Sequence, residues 1–408
     1  MPLPTPFRWL CAMCAVTTLH AQSAERAERF RMGAEVQTRY ELLRGGAMTE
    51  SGDGYLMTRV RVQGLWRPAA NLTVLWEVQD ARLKAAQHVD YAETFTNRAD
   101  LRAAAVEWSS RESKRWRVTV GRQQFSLGEE RLIGSDSEWC NLSRSFDGVR
   151  TAVGDGSWQL EAFHFHVVEP VPSHPDRPFH GPRLAGVSAS YESEAGGWSV
   201  EPYGVYATAL GLSTSGGLVE VRLGSRLKGW SEMAIQTGRS TRAWAGAWGA
   251  DLQLTPGETA NAVLGASYSR ASGDSHPSDG LNATFNDLYS ADYNSCGMLD
   301  PFAWRNLGDA AISFAWPVTP RFSFQVENHA YWLAAAGDSL HALSGAVTRL
   351  PPSARSSYLG DQINVGAIFR LAGEFTLFVG GGRLAASDSL RQAGMSGTTT
   401  VADRKSVV

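Results

Sequence analysis

Arginine recurs at alternate positions in several stretches of this chain, and it is the side chain with the clearest chemical meaning. Arg39, Arg59, Arg61, Arg117, Arg150, Arg222, Arg226 and Arg321 fall on the polar phase of segments whose other phase is apolar. A guanidinium is a planar fork of donors matched to a carboxylate. A row of such forks, each holding weakly, suits a carboxylate-bearing chain handed from one site to the next. Glu41, Glu77, Glu107, Glu232 and Glu327 share that phase and would keep any one site from trapping its ligand. The chain holds 34 Arg against four Lys. That ratio is a property of the whole composition, so the position of Arg on the polar phase is the informative part. The same alternation also arises where Arg and Glu only satisfy each other across neighbouring strands.

Other chemistry is sparse. There is no HExxH, GxSxG or P-loop pattern, and no CxxC beyond the first 21 residues. No catalytic residue, cofactor or metal is expected. His164 and His166 share a face at i and i+2. Two such imidazoles can bind a metal, but no third ligand accompanies them. Charge is balanced, 38 Lys+Arg against 41 Asp+Glu, which argues against a nucleic-acid partner. With 14 Trp, 11 Tyr, 16 Phe and only 19% charged residues, a disordered chain is excluded.

The elements that must position these arginines are strands. Val36, Thr38, Tyr40 and Leu42 alternate with Gln37, Arg39 and Glu41, and the same period recurs at 56–63, 72–79, 116–120, 219–223 and 321–327. Short turns, such as Gly154-Asp155-Gly156 and Pro256-Gly257, alternate with longer polar loops at 81–100, 123–145, 168–182, 271–306 and 335–357. Strict short–long alternation predicts an all-β, antiparallel, up-and-down transmembrane barrel with tight periplasmic turns and long outer loops. Trp66, Trp108, Trp116, Trp158, Trp198, Trp230 and Trp316 each sit beside a short turn, where an interfacial girdle belongs. A soluble sandwich would need neither so many strands nor Trp at nearly every turn of one side.

The longest apolar run, Trp9 to Leu19, is about half a membrane helix. With Arg8 before it and Leu19-His20-Ala21 after it, residues 1–21 are expected to be a signal peptide, and 22–408 the barrel. Met13 stands where a lipoprotein signal needs a small residue, so Cys14 is not expected to carry lipid. About 387 residues then remain, enough at roughly 21 per strand and connection for ~18 strands with both ends periplasmic. Cys140 and Cys296 both fall in outer loops of an oxidising compartment, where a disulfide between them can form. The loop 123–145 is expected either to fold into the mouth and narrow it, or to stand out in solvent. In the strand holding His164, Phe163 and Phe165 are expected to face lipid and His164 the interior, away from the lipid-side Ser–His pair that an outer-membrane phospholipase needs.

The stretch 121–150, GRQQFSLGEERLIGSDSEWCNLSRSFDGVR, resembles the alginate export porin family. The resemblance continues, in order, at Arg222-Leu223-Gly224, at EMAIQTG (232–238), at Ala271-Ser272-Gly273-Asp274, at TFNDLY (284–289) and at 358–383, where YLGDQINV leads to FVGGG. It implies a monomeric 18-stranded barrel in outer-membrane lipid, inserted by the outer-membrane assembly machinery and passing acidic polysaccharide through an electropositive lumen. Arg122 and Arg150 match the GRQ and SFDGVR positions, and Arg59 and Arg61 an early basic strand. Gly121 can carry a bulge, which leaves the side that Arg122 faces open. Two departures stand out. The chain ends Asp403-Arg404-Lys405-Ser406-Val407-Val408 without the usual terminal aromatic, which puts closure of the sheet in question. The turn at Ala372-Gly373 is a hairpin where the exporter has a long periplasmic plug, and Gln362 and Asn364 stand where acids are common.

The expected function is therefore a passive channel for an anionic, alginate-like polysaccharide or its oligomers. Arg59, Arg61, Arg117, Arg122, Arg150, Arg222, Arg226, Glu232, Arg321 and Glu327 would line the pore. A general small-solute porin is the alternative, and an outer-membrane enzyme a third. Mass spectrometry of the exported protein should place its first residue at Gln22; an N-terminus still carrying Trp9 to Leu19 would remove the signal-peptide reading.

Overall fold

The computed structural model describes residues 29–44, 53–84, 95–110, 115–135, 141–172, 174–194, 196–255, 261–291, 296–343, 346–351, 356–371, 375–394 and 398–407. Eighteen strands form one antiparallel sheet in which each strand pairs with its sequence neighbours. They are β1 (Phe30–Arg44), β2 (Asp53–Ala69), β3 (Leu72–Lys84), β4 (Asn97–Ser109), β5 (Trp116–Gln123), β6 (Phe146–Gly154), β7 (Trp158–Val167), β8 (Arg183–Glu192), β9 (Trp198–Ala207), β10 (Leu212–Leu223), β11 (Leu227–Thr237), β12 (Arg242–Gln253), β13 (Val263–Ala271), β14 (Leu307–Thr319) and β15 (Phe322–Leu333). The two-residue strands β16 (Leu340–His341) and β17 (Val347–Thr348) pair only with each other, outside the wall. The wall resumes with β18 (Tyr358–Arg370), β19 (Thr376–Ala386) and β20 (Thr398–Val407).

The sheet closes. β20 pairs with β19 and also with β1, from Gln37↔Val407 to Arg44↔Thr400. The absence of a terminal aromatic therefore does not prevent closure, and Arg39 Nε meets Asp403 Oδ2 across the seam at 2.9 Å. β18 and β19 are joined by 371–375 alone, with Arg370 opposite Thr376, so no plug segment is inserted there. On the outer rim the alternation is less strict than expected. The connections 208–211 and 238–241 are short. The segment 272–306 covers that part of the rim instead, through Arg242 N–H to Asn282 O and Asn282 N–H to Ser240 O.

Alternation sorts the wall into two faces. Val36, Val60, Val120, Val187, Ile235, Ile312 and Val365 are exposed on the outside, as a lipid-facing set must be. Trp66, Trp108, Trp158, Trp198 and Trp316 are 42% to 54% exposed beside the short turns, forming the expected girdle, and Trp116 packs edge-on against Trp108. Trp230 is an exception. It is 8% exposed and shares the inward phase of Glu232, because Met233 and Ile235 hold the outward phase of β11. Gly249 opposite leaves the space its ring fills.

β7 has the opposite phase to the expected one. Phe163 and Phe165 are buried inside with Phe125 and Phe146, in an apolar cluster that Leu127, Leu132 and Ile133 complete. His164 and His166 consequently face outward. The inserted segment 124–135 brings its own hydrocarbon into the barrel, and the phase that buries two phenylalanines against it wins.

The segment 168–182 then folds down over this outer face. Arg122 pairs with Asp147, Nε to Oδ1 at 2.8 Å and Nη2 to Oδ2 at 3.0 Å, in register with it. Both share the phase of the exposed Val120 and Val149. Gly121 has φ +123°, yet the pairing runs through it without a register shift. Arg122 therefore stands on the outside at the upper rim rather than in the lumen, under the loop. Asp176 N–H donates to Asp100 Oδ1, Asn97 Nδ2 donates to both carboxylates, Arg122 Nη2 donates to Asp176 O, and Val171 N–H donates to Asp176 Oδ1. Burial, and then the hydrogen bond shared with the Asp100 carboxyl, pushes the Asp176 carboxyl up to about 7 from 3.8. The folded value lies above the unfolded one, so this attachment is complete below about pH 4 and is lost as pH rises through about 7. Hydrogen exchange in 171–182, corrected for intrinsic chemistry, should quicken between ~pH 5 and ~pH 8. Asp176→Asn should flatten the rise, and a loop with no such pH dependence would refute the latch.

Candidate functional site

A cluster of buried arginines lies on one side of the lumen. Arg39, Arg59, Arg61 and Arg102 project inward from β1, β2 and β4, and all are buried. The register explains their company. Glu35 faces Arg61, Gln37 faces Arg59 and Arg61 faces Gln79, so acids and amides take the direct and diagonal positions. Arg59 pairs with Glu35, and Arg102 with Glu77. Arg61 Nε reaches Gln79 Oε1 at 3.1 Å and Glu77 Oε1 at 3.4 Å, and its Nη2 donates to Ser143 Oγ at 2.9 Å. Arg39 also meets Glu41 at 3.4 Å. Charges this far from water persist only with partners, and here every one has them.

The opposite wall is acidic. Glu161, Glu201, Glu220, Glu232, Asp251, Asp309 and Glu327 all lie on inward phases of β7 to β15, against Arg222, Lys228 and His329. The lumen is thus divided rather than electropositive. Of the inward acids, Glu41, Glu77, Glu107, Glu232 and Glu327 were expected from the sequence, and Glu161, Glu201, Glu220, Asp251 and Asp309 were missed; those of β9 and β12 stand alone in their strands. Arg102 was also missed. A register shift between Glu77 and Val78 puts it out of simple alternation with Leu101 and Val106, which are exposed.

Two outer segments meet inside the barrel. The 124–135 segment reaches the acidic wall with its backbone: Gly128 N–H donates to Glu201 Oε1 and Glu129 N–H to Glu232 Oε2, both at 3.1 Å. Tyr203 Oη donates to Glu232 Oε1 at 2.9 Å. The same segment interlocks with 272–306 through Gly134 N–H to Tyr289 O, Tyr289 N–H to Leu132 O and Ala291 N–H to Glu130 O. Arg144 Nη1 caps Tyr289 O and Ser290 O at 2.6 Å, and Gln236 both accepts from Asn286 N–H and donates to Asn286 O. The Arg131 guanidinium is stacked between Trp230 and Trp304, 5.7 and 5.4 Å from their ring centres. Further round, Cys296-Gly297 docks on a polar strip. His329 Nδ1 lies 3.0 Å from Asp309 and Nε2 3.1 Å from Glu327, Asn364 Nδ2 donates to Glu327 Oε2, and Tyr331 Oη donates to Cys296 O. A Cβ on Gly297, at φ +76°, would meet Gln362 Nε2 at 2.3 Å. Of the two loop readings, the inserted one holds.

Below this constriction the lumen opens. A cavity of about 340 Å³ is lined by Phe125, Glu130, Arg150, Gln159, Glu161, Ser188 and Glu201, among others. A second, of about 330 Å³, shares Gln159, Ser190 and Glu201 and leads to the periplasmic turns at Gly156 and Glu192. Arg150 lines the first cavity and Arg117 a smaller pocket of about 110 Å³ that shares Gln159 with it; their side chains are 25% and 34% exposed. Their nearest acids, Glu161 and Glu107, are 3.9 and 3.8 Å away, and neither Nε has a hydrogen-bond partner. Arg222 lies lower, its Nη1 donating to Gly196 O. Arg226 and Arg321 are exposed in periplasmic turns rather than on strand walls. Of the ten expected residues, then, Arg150 lines the larger cavity and Arg117 the small pocket that shares Gln159 with it, Arg59, Arg61, Glu232 and Glu327 are held in the walls, Arg222, Arg226 and Arg321 lie toward the periplasmic rim, and Arg122 is outside.

Cys296 is buried and unbonded to sulfur among the described residues; Cys140 lies outside them. Among the described residues no third metal ligand joins His164 and His166.

A family model described as alginate export matches residues 28–402. No curated protein matches in sequence. Among solved structures the chain is similar to the outer-membrane protein OpdK of Pseudomonas aeruginosa, with TM-score 0.63 and 9% identity over 93% of this chain and 98% of that one. OccAB1 of Acinetobacter baumannii gives 0.61 and 12% over 95% and 99%. OccK2 of Pseudomonas aeruginosa, solved in complex with glucuronate, gives 0.60 and 11% over 92% and 95%. At these identities the likeness shows a shared outer-membrane barrel fold.

Gly128 tests the constriction. Its φ is +55°, and a Cβ there would meet Glu232 Oε1 at 2.2 Å. Gly128→Val should cost about 1–2 kcal/mol from the backbone alone and lift the segment off the wall, raising single-channel conductance in planar bilayers. Gly156→Val, where nothing lies within 4 Å, should leave conductance unchanged. Equal conductance in both variants would mean that the 124–135 segment does not set the bore.

Proposed function

This chain belongs to the alginate export family, and from that premise we propose that it is a passive outer-membrane channel for an anionic polysaccharide of the polyuronate type, or its oligomers. Family and fold are those of outer-membrane channels, not of enzymes. The observation that carries the finer reading is the pair Arg117 and Arg150. Arg150 lines the larger cavity and Arg117 a smaller pocket that shares Gln159 with it, each with an Nε lacking a hydrogen-bond partner, while Ser188 and Ser190 line the larger space. A uronate carboxylate suits the first group and sugar hydroxyls the second. A neighbour of the same fold is held in complex with glucuronate, a uronate. The nearby Glu107, Glu161 and Glu201 weaken each stop, which lets a polymer leave as well as enter. A diffusion channel follows its gradient, so one geometry serves export and uptake. The barrel acts as a monomer in this reading.

The acidic wall favours a second reading, a general porin for small solutes. For the enzyme reading, no serine stands beside His164 among the described strand residues: it faces Val149 and Ala185 across its strand, with Asp147, Thr151, Arg183 and Val187 on the diagonals.

Reconstituted barrels decide between the two channels. Oligouronate should permeate faster than a neutral oligosaccharide of equal length, and polyuronate should block the current. Half-exposed guanidinium–carboxylate contacts are worth about 0.2–1 kcal/mol each. The double variant Arg117→Ala/Arg150→Ala should therefore reduce the preference by roughly twofold to thirtyfold. Equal permeation of neutral and acidic oligomers, unchanged in the variant, would establish the general porin instead.

A further inference from the structure

We propose that the outer rim of β7 and β8, with the 171–182 segment folded over it, docks the phosphorylated headgroup of an outer-leaflet glycolipid. This inference rests on the outer-membrane barrel alone and is independent of what crosses the lumen.

Three donor side chains converge on the lipid-facing side. His164 and His166 lie outward on β7 with ring centres 6.2 Å apart. Arg183 of β8 is the direct cross-strand partner of His166, so it shares that face and is exposed. Outward phase is established from the other direction as well, since Phe165 and Leu184, the neighbours of His166 and Arg183, are wholly buried inside.

Depth agrees with a headgroup. Trp158 marks the periplasmic girdle on the same strand and face. His166 is eight residues further on, about 26 Å along the strand at ~3.3 Å per residue. At a tilt of 35–45° that is roughly 20 Å along the membrane normal, against an apolar band ~25 Å tall, so His166 lies toward the outer interface and His164 about 5 Å deeper. Ionisable side chains on the lipid face are costly at mid-depth and tolerated near the interface. Val187, the cross-strand partner of Ala162, is exposed on the same face about 10 Å above Trp158 and below the two imidazoles, and Leu160 lies lower, near the periplasmic girdle.

The covering segment completes the surface. Phe179 N–H donates to Asp147 Oδ2 at 3.1 Å, which swings the Phe179 ring against His166 at 5.8 Å and leaves that ring 55% exposed, at the level of the lipid. His166 Nδ1 lies 3.0 Å from Gly181 O, so Nε2 points away from the protein. Of the acids near this face, Asp147 is taken by Arg122 and by Phe179 N–H, and Glu169 is exposed beside Gly181 at its edge. Among the described residues no salt bridge involves Arg183 or Arg177. What is left is an anion-complementary rim of imidazoles and a guanidinium above an apolar strip, beside an exposed aromatic ring. A phosphate on a sugar that carries acyl chains satisfies all three, since a guanidinium binds phosphate with two N–H groups.

The experiment uses the full-length barrel, purified in detergent and checked by heat-modifiable migration. Native mass spectrometry follows binding of diphosphoryl lipid A, its dephosphorylated form, or inorganic phosphate. The wild type should retain the diphosphoryl lipid, and the triple variant His164→Ala/His166→Ala/Arg183→Ala should bind it about tenfold or more weakly with bilayer conductance unchanged. Arg183→Gln alone, the milder change, should show part of that loss even if the triple variant fails to assemble. Equal binding of the dephosphorylated lipid would reduce the site to greasy contact and overturn the proposal. So would inorganic phosphate competing as well as the lipid, which would mean an adventitious anion only, or variants that bind like the wild type.

Discussion

The hydrogen-bond ladder between 37–44 and 400–407 is the contact on which everything else in this barrel depends. In hydrocarbon there is no water to take up an open edge, and each unpaired backbone group costs several kcal/mol. Seventeen hairpin-type pairings make a sheet; the eighteenth, between β1 and β20, makes an interior. Only after closure do the two faces of each strand mean lumen and lipid. Arg39 and Asp403 stand opposed across this seam, so closing the sheet also neutralises two charges that neither face could hold alone.

Closure creates a second demand. A barrel of eighteen strands is wide enough to leave an aqueous hole, and this chain fills much of that hole with its own loops. The 124–135 segment brings Phe125, Leu127, Leu132 and Ile133 against Phe146, Phe163 and Phe165, which is a small hydrophobic core set inside a wall. Its tip is bound by acids that accept backbone N–H groups, and its flank by a two-way amide clamp between Gln236 and Asn286. The conduit that remains is therefore not the lumen of the barrel but the gap beside this insert, and its chemistry is set by whichever wall residues the insert leaves unused.

Much of this was legible in the chain itself. Period two located the strands, and the turn spacing located the rims, because both are local consequences of backbone geometry. Several motif residues also found partners: Arg122 with Asp147, Gln236 with Asn286, and Gln362 with Asn364. What period two cannot supply is absolute phase. It says that His164 and His166 are together and that Phe163 and Phe165 are opposite, not which pair sees lipid. A polar-inside rule gave the wrong answer in β7, since the inserted segment offers hydrocarbon within the barrel and the covering loop offers polar groups outside it. Trp230 and Arg122 depart for the same two reasons. Each would have needed knowledge of where a loop of more than ten residues folds, and no spacing within a strand carries that information.

The excess of acids on the wall looks at first like an argument against an anion path, but the wall's formal charge is not the charge a passing solute meets. Glu201 and Glu232 are committed to backbone amides of the insert, Glu220 to Lys228, and Asp309 and Glu327 to the two nitrogens of His329. Arg39, Arg59, Arg61 and Arg102 are equally committed on their side. These groups cancel one another at contact distance, where their fields into the remaining space are weak. At the cavities the contacts lengthen: Arg117 and Arg150 sit 3.8 and 3.9 Å from their acids, partly exposed, each with an Nε that has no hydrogen-bond partner, and Arg117 Nη2 reaches Gln159 Oε1 only at 3.5 Å. A guanidinium held at that distance can turn to a carboxylate without first breaking a tight pair. In the proposed conduit, selectivity would follow from how strongly each charge is already engaged.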